Sequence, residues 1–218
     1  MKNVPIDKIH TVLKDFVADL PTPVAELVAE QTNDPFKVLV TTILTARTKD
    51  TTTVEVIKKL FGEVHSFDDL KRLPLNKIEN LIYPVGFYKN KAKFLKALPL
   101  AIDELFDGII PDDVDKLTKL PGVGRKTANL VVASAFNKPA ICVDIHVHRI
   151  TNRLGYVKTK NPLETEMALR KKLPVKYWIT LNTYLVAFGQ HTCTPVSPHC
   201  SRCPIRTYCN QVGVIKTR

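Results

Sequence analysis

The stretch LPGVGRKTANLVVASAF, from Leu120 to Phe136, places a glycine-rich turn between two helical patterns. DVDKLTKL precedes the turn and a longer apolar segment follows it, so the sequence predicts a helix, a turn and a second helix over about residues 113–134. Gly122 and Gly124 can adopt positive φ, and their amides with the start of the second helix predict a nest for a phosphate group. Such a contact holds a nucleic acid without reading its bases. An ordinary corner between helices is the alternative.

The same stretch differs from the phosphate-binding loop of nucleoside triphosphatases. The pattern G-x-x-x-x-G-K-S/T needs a lysine directly after its last glycine. Here Arg125 separates Gly124 from Lys126, and no glycine begins the loop. A triphosphatase is therefore not favoured.

Lys126 is a candidate nucleophile. It falls in the first turn of the second helix, where the positive end of the helix dipole and the neighbouring Arg125 both disfavour an ammonium ion. Both effects favour the neutral amine that a nucleophile needs. A simple phosphate contact by Lys126 is equally consistent with this position.

A carboxylate follows in VDIHVHR, residues 143–149. Asp144 comes after an apolar run and begins a helical pattern, so one interpretation is a helix N-cap. If Asp144 faces Lys126, it can instead stabilise positive charge on a sugar as a base departs, or relay a proton. His146 and His148 alternate with apolar residues and are interpreted as structural or phosphate contacts.

Four cysteines near the end of the chain form a metal-binding pattern. Cys193, Cys200, Cys203 and Cys209 are spaced C-x6-C-x2-C-x5-C, which suits a 4Fe-4S cluster or, alternatively, a tetrahedral zinc ion. Because zinc sites more often pair two C-x-x-C units, the spacing favours iron–sulfur. The main expectation is that this metal centre has a structural role and holds the last helices together. Cys142 lies in an apolar context and is expected in the core.

Composition is consistent with a nucleic-acid-binding helical protein. The 218 residues carry a formal charge of +11, which favours a polyanionic partner. Almost every segment has helical periodicity, so we predict an all-α fold; the β-branched clusters at residues 51–54 and 140–143 are the best strand candidates, but both are short. No apolar run is long enough to cross a bilayer and no signal peptide is recognised, so a soluble, intracellular protein is expected.

The hairpin LPGVGRKTA, the segment VDIHVHR and the cysteine tail, in this order, closely resemble the endonuclease III branch of the helix-hairpin-helix DNA glycosylases, from about Asp34 to Cys209. The resemblance implies two all-α domains. A six-helix barrel over residues 28–137 would carry the hairpin. Residues 1–27 plus 138–218 would form an iron–sulfur domain with its cluster loop at 193–209, and Lys126 and Asp144 would face each other across the cleft between the domains.

The resemblance also implies an enzyme of base excision repair. Lys126 would attack C1′ of an extruded oxidised pyrimidine nucleotide, displace the base through a Schiff base and permit strand cleavage by β-elimination, with Asp144 as the catalytic carboxylate. The implied partner is double-stranded DNA with damaged bases or abasic sites, bound by a monomer in the cytoplasm at the nucleoid. Besides the 4Fe-4S cluster, a monovalent cation at the hairpin is implied.

The DNA-contacting residues implied by the resemblance lie in the hairpin, two insertion loops and the Asp144 segment: Gly122, Val123, Gly124, Arg125, Arg47, Phe87, Tyr88 and His146. Three features depart from the family pattern. Arg47 stands where Gln is common and is expected to favour an orphan guanine. Phe87 replaces a Leu-type wedge. The loop TPVSPH, residues 194–199, lacks basic residues, so DNA contact there is expected to shift to Arg202 and Arg206.

Two alternatives remain besides a triphosphatase. One is a monofunctional adenine or mismatch-thymine glycosylase, but such relatives usually carry Ser or Tyr at the position of Lys126. The other is a DNA-binding module that uses the hairpin without catalysis. A binding module of this kind predicts that Lys126→Gln weakens DNA binding, and that there is no covalent step for the substitution to remove.

Overall fold

A computed structural model describes residues 3–218, which contain helices and no β-strand. The α-helices are α1 (Ile6–Val17), α2 (Val24–Thr32), α3 (Pro35–Thr45), α4 (Asp50–Phe61), α5 (Phe67–Arg72), α6 (Leu75–Ile82), α7 (Tyr88–Phe106), α8 (Val114–Leu117), α9 (Arg125–Phe136), α10 (Ile145–Leu154), α11 (Pro162–Lys172) and α12 (Trp178–His191). Three short 3₁₀ turns cover Val175–Tyr177, Cys200–Arg202 and Arg206–Tyr208. The prediction of an all-α fold is confirmed.

Both strand candidates were wrong. Residues 51–54 lie inside α4, where Thr53 is buried, because packing of one helix face outweighs the weak helix propensity of β-branched residues. Residues 140–143 form a buried segment that leads toward α10 and belongs to no helix or strand.

The chain divides into two compact units, Pro23–Ala140 and Met1–Thr22 with Ile141–Arg218. Sequence reasoning placed the corresponding boundaries at 27/28 and 137/138, and Met1 and Lys2 lie outside the described residues. The first boundary lies earlier than expected because α2 begins at Val24 and packs against α3 and α9. The segment Pro21-Thr22-Pro23, which joins α1 to α2 and is a composition break in the sequence, lies at this division.

The unit Pro23–Ala140 is built around α3. Pro35 opens this helix after the N-cap Asp34, whose carboxylate accepts a hydrogen bond from the amide of Phe36 at 2.9 Å. Eight of its eleven residues are buried, and it packs against α2, α4, α7 and α9. An apolar surface all round the helix predicts this central position. The unit contains eight α-helices, of which six have eight or more residues.

The second unit joins the N-terminal helix to the C-terminal part of the chain. Helix α12 packs against α1 and α10, and α10 also packs against α11. Their shared core includes Ile9, Leu13, Val147, Ile150 and Phe188, each exposed by no more than 1%. Cys193, Cys203 and Cys209 pack against this core. Within residues 3–218, no helix has the length and apolar character needed to span a membrane.

Candidate functional site

The helical hairpin is formed by α8 and α9. Gly122 adopts φ 76° and needs to be glycine, because a Cβ atom there would lie 2.8 Å from the ring of Phe94. Gly124 does not use the positive φ that a glycine allows: it is the N-cap of α9, with φ −86°. Nothing lies within 4 Å of a Cβ built on Gly124, so its surface is open to a ligand.

The turn exposes backbone donors. The amides of Gly122 and Gly124 donate no hydrogen bond to any part of the chain that the structure describes. The amide of Val123 differs, because it donates to the carbonyl of Leu120 at 3.2 Å and its side chain is buried. Free amides in the turn just before α9 are the kind of donor that binds a phosphate oxygen. The monovalent cation expected at this turn stays a prediction.

Lys126 is exposed in the first turn of α9. Its neighbour Arg125 is half-buried, and Nη1 of Arg125 lies 3.1 Å from the carboxylate of Asp115 in α8. The ion pair joins the two helices of the hairpin and directs Arg125 toward α8. Lys126 thus remains at the surface beside the free glycine amides.

Asp144 is the N-cap of α10, as one interpretation of the sequence predicted. Its Oδ1 accepts hydrogen bonds from the amides of His146 and Val147 at 2.8 and 2.9 Å, and Oδ2 takes part in neither bond. The residue as a whole is only 9% exposed. These two amides orient the carboxylate and leave its second oxygen for another role. Lys126 and Asp144 belong to different compact units, and their meeting stays a prediction.

The two histidines after Asp144 have structural partners. Nδ1 of His146 accepts a hydrogen bond from Arg149 at 3.0 Å, and Nδ1 of His148 lies 2.7 Å from Oγ1 of Thr165. His146 also packs so closely against α12 that a Cβ on Gly189 would lie 2.4 Å from its ring. The geometry favours the structural interpretation, and a DNA contact by His146 stays a prediction.

Arg47 and Phe87 come together from two loops of the unit Pro23–Ala140. The guanidinium carbon of Arg47 lies 5.4 Å from the ring centroid of Phe87, and 60% of the Phe87 surface is exposed. A cation over an aromatic face at this distance is attractive. Tyr88, half-buried, makes an edge contact with Tyr83 instead. The structure thus presents a charged and an aromatic side chain as one exposed pair.

The four tail cysteines line a single cavity with Phe188, Ile205 and Arg206. Burial raises the pKa of the Cys203 thiol to about 11 and also raises the pKa of Cys200. Thiolates therefore form there readily only when a metal centre neutralises them. Among the residues that the structure covers, no group of three or more His, Cys, Asp or Glu side chains is placed to hold a single metal ion.

Polar donors around the cysteines suit a thiolate-bound cluster. Nη1 of Arg153 lies 3.4 Å from Sγ of Cys193, and the amide of Gln211 donates to Sγ of Cys209 at 3.3 Å. Hydrogen bonds to sulfur are a general feature by which proteins stabilise and tune iron–sulfur centres. The donor set therefore fits the expected 4Fe-4S cluster, held by Cys193, Cys200, Cys203 and Cys209.

Sequence reasoning missed two arginines that support this loop. Arg149 donates to the Cys193 carbonyl at 2.9 Å, and Arg153 donates to the Thr194 carbonyl at 2.7 Å. They are four residues apart in α10, so they project from one helix face, and this spacing was the available signal. Arg202 and Arg206 are exposed, and their contact with DNA stays a prediction.

Comparison with known families agrees with these features. A family model described as HhH-GPD superfamily base excision DNA repair protein matches residues 40–175, and one described as the iron-sulfur binding domain of endonuclease III matches residues 193–209. The chain is 44% identical to endonuclease III of Thermotoga maritima, with 81% of this chain and 83% of that protein aligned. It is 40% identical to endonuclease III of Bacillus subtilis, with 82% of each aligned.

Solved structures give the same grouping. The fold matches a non-covalent endonuclease III–DNA complex with a TM-score of 0.83 and 34% identity, covering 94% of each chain. It matches a trapped endonuclease III–DNA covalent intermediate, an estranged-adenine complex, with a TM-score of 0.81 and 36% identity over 94% of this chain and 95% of that one. It also matches a thermostable thymine-DNA glycosylase with a TM-score of 0.81 and 26% identity, over 94% of this chain and 95% of that one.

Proposed function

This chain belongs to the HhH-GPD superfamily of base excision DNA repair proteins, and on that premise we propose that Lys126 and Asp144 perform the chemistry of a bifunctional DNA glycosylase and AP lyase. The enzyme acts on duplex DNA, removes oxidised pyrimidines and cleaves the strand by β-elimination. One observation carries the role of Lys126: it is exposed in the first turn of α9, directly after a turn that offers two free amides. We assign the amides to the phosphate and the amine of Lys126 to the attack.

The reaction follows from the chemistry of an amine. The lone pair of Lys126 Nζ forms a bond to C1′ while the bond from C1′ to the base breaks and the base leaves with the electron pair and a proton. The nitrogen gives one proton to the departing base; the bond from C1′ to O4′ then breaks as the ring opens, O4′ takes up a proton from water, and the nitrogen lone pair forms a protonated imine with C1′. Loss of a proton from C2′ then breaks the bond from C3′ to its oxygen, and the strand is cleaved on the 3′ side.

Asp144 supplies negative charge during base loss. Positive charge develops on the sugar as the base departs, and a carboxylate held in place stabilises it without reorganising. The bonds from the His146 and Val147 amides to Oδ1 hold the carboxylate in one orientation. The free oxygen, Oδ2, is the one that we assign to the substrate.

Arg47 and Phe87 fill the space that an extruded nucleotide leaves. A base inside a duplex is out of reach, so the nucleotide must leave the stack. Phe87 acts as the apolar wedge, and the fork of Arg47 hydrogen-bonds the orphaned base, with guanine as the expected partner. The 4Fe-4S cluster, when bound, cross-links the loop 193–209 through its four cysteine thiolates. Since DNA is the substrate, we propose a cytoplasmic, nucleoid-associated location and a monomer.

Borohydride trapping tests the role of Lys126. A duplex with one oxidised thymine is incubated with the native protein, Lys126→Gln and the control Lys119→Gln. Lys119 is an exposed lysine just before the same turn, so Lys119→Gln removes the same positive charge close to the same site. We expect a covalent adduct with the native protein and the control, and none with Lys126→Gln, which still binds a duplex with a non-cleavable abasic analogue.

Other results would change the assignment. Free base without an adduct from the native protein would indicate a monofunctional glycosylase. Loss of binding by a folded Lys126→Gln would favour a phosphate contact by this lysine. Neither base nor adduct, on damaged and abasic duplexes alike, would leave a binding module.

A further inference from the structure

Lys91 is a buried cation in the first turn of α7. Its side chain is 5% exposed, and Nζ donates to the carbonyls of Leu44 and Ala46 at 2.7 and 2.6 Å and to Oγ1 of Thr48 at 3.0 Å. The first acceptor lies in the last turn of α3, and the other two lie in the loop that follows. A single ammonium group therefore ties the 46–48 loop to the start of α7.

The 46–48 loop is also joined to the loop before α7. Oγ1 of Thr48 accepts a hydrogen bond from the amide of Gly86 at 3.1 Å. A Cβ on Gly86 would lie 2.5 Å from the carbonyl oxygen of Arg47, so the two backbones meet in direct contact. Thr48 thus receives hydrogen bonds from Lys91 and from Gly86, and it links the two loops to the same cation.

Each joined loop carries one member of the exposed pair. Arg47 and Phe87 both adopt the left-handed backbone conformation, with φ 54° and 58°. For residues with a side chain this conformation is unfavourable, so surrounding contacts must impose it. The side chain of Lys91 donates hydrogen bonds to the residues on either side of Arg47. The backbone amide of Lys91 donates to the Phe87 carbonyl at 3.1 Å.

We propose that Lys91 is a positioning residue that holds Arg47 and Phe87 together as a preformed wedge for extrusion of the damaged nucleotide. The inference rests on the proposed function, because the wedge has a use only if a nucleotide leaves the stack. Lys91 is buried and acts through the two loops. A wedge ordered before DNA arrives loses little conformational entropy on insertion, so extrusion is faster.

The same helix offers a matched control. Nζ of Lys96 donates to the carbonyls of Leu70, Lys71 and Leu73 at 3.4, 2.7 and 2.6 Å. It therefore also ties α7 to a neighbouring segment, the C-terminal end of α5, through backbone oxygens. The segment that it holds carries no residue that we assign to DNA insertion.

Three variants, Lys91→Met, Thr48→Val and Lys96→Met, are compared in two single-turnover assays. The first measures base release from a duplex with one oxidised thymine. The second measures cleavage at an abasic site in single-stranded DNA, where no stacked base must be extruded. We expect Lys91→Met to slow duplex base release about 10-fold or more and Thr48→Val about 3-fold. Single-strand cleavage by all three variants and duplex base release by Lys96→Met should stay near the native rates.

A double variant tests whether Lys91 acts through the wedge. In the Phe87→Ala background, Lys91→Met should slow duplex base release little further, because the wedge is already lost. A full additional loss would overturn the proposal, as would equal losses in the two assays or equal losses for Lys91→Met and Lys96→Met. If Lys91→Met does not fold, normal duplex base release by Thr48→Val overturns it. A native protein that neither cleaves abasic DNA nor forms an adduct overturns the proposed function itself.

Discussion

Replacing Asp144 with Asn separates the charge of this side chain from its capping role. The Oδ1 of an Asn can still accept both amide bonds, now 2.8 and 2.9 Å long, so the N-cap of α10 is retained. What is lost is the favourable interaction of a carboxylate with the helix N-terminus, about 0.5–1 kcal/mol. For a chain of this length that corresponds to a fall in melting temperature of about 1–4 °C.

The effect on chemistry should be much larger than the effect on stability. If Asp144 stabilises the positive charge of the departing sugar, Asp144→Asn should slow base release about 100-fold or more. Cleavage at an abasic site made beforehand should fall less, because the bond from the sugar to the base is already broken. Single-turnover rates on a damaged duplex and on an abasic duplex measure the two steps separately.

Asp34→Asn is the matched control for this experiment. Asp34 is the N-cap of α3 and accepts a hydrogen bond from the Phe36 amide at 2.9 Å, so the same substitution removes a capping charge elsewhere. It should show a similar small loss of stability and no loss of base release. Normal base release by Asp144→Asn would refute the catalytic role and leave only the cap. Equal loss of base release by both variants would attribute the effect to folding.

Three further predictions concern pH, the cluster and salt. Burial lowers the pKa of Lys91 to about 8 from the ordinary 10.5. Between pH 8 and pH 10.5 the lysine is therefore mostly protonated in the unfolded chain and mostly neutral in the folded one, so the free energy of unfolding should rise with pH over this range. In urea titrations the native protein should gain about 2 kcal/mol relative to Lys91→Met between about pH 7 and about pH 9.5, and no relative gain would contradict a buried ammonium. Cys203→Ser should abolish the visible absorbance of the cluster and lower the melting temperature, whereas Cys142→Ser should keep the absorbance; an unchanged spectrum in Cys203→Ser would remove Cys203 from the ligand set. The logarithm of the DNA association constant should fall linearly with the logarithm of salt concentration, by about 0.9 per phosphate contact, and a flat response would contradict phosphate binding.

Local patterns in the sequence were sufficient for much of this protein. Helical periodicity determined the all-α class, and the order of LPGVGRKTA, VDIHVHR and the cysteine tail determined the family. The N-cap interpretation of Asp144, one of two that the sequence left open, is confirmed, because a cap depends on the few residues beside it. These features depend on hydrogen bonds and turns formed within a short segment, so their signals lie in neighbouring residues.

Features that depend on distant segments were decided only by the tertiary structure. The sequence allowed positive φ at both hairpin glycines, but only the structure shows that Gly122 adopts it, with Phe94 packed against it, and that Gly124 does not. Lys91 looks like any surface lysine in the sequence, yet it is buried by a loop more than 40 residues earlier in the chain. The pairing of Arg47 with Phe87 arises in the same way. Burial and long-range hydrogen bonding depend on how helices pack, and local sequence patterns carry little information about that packing.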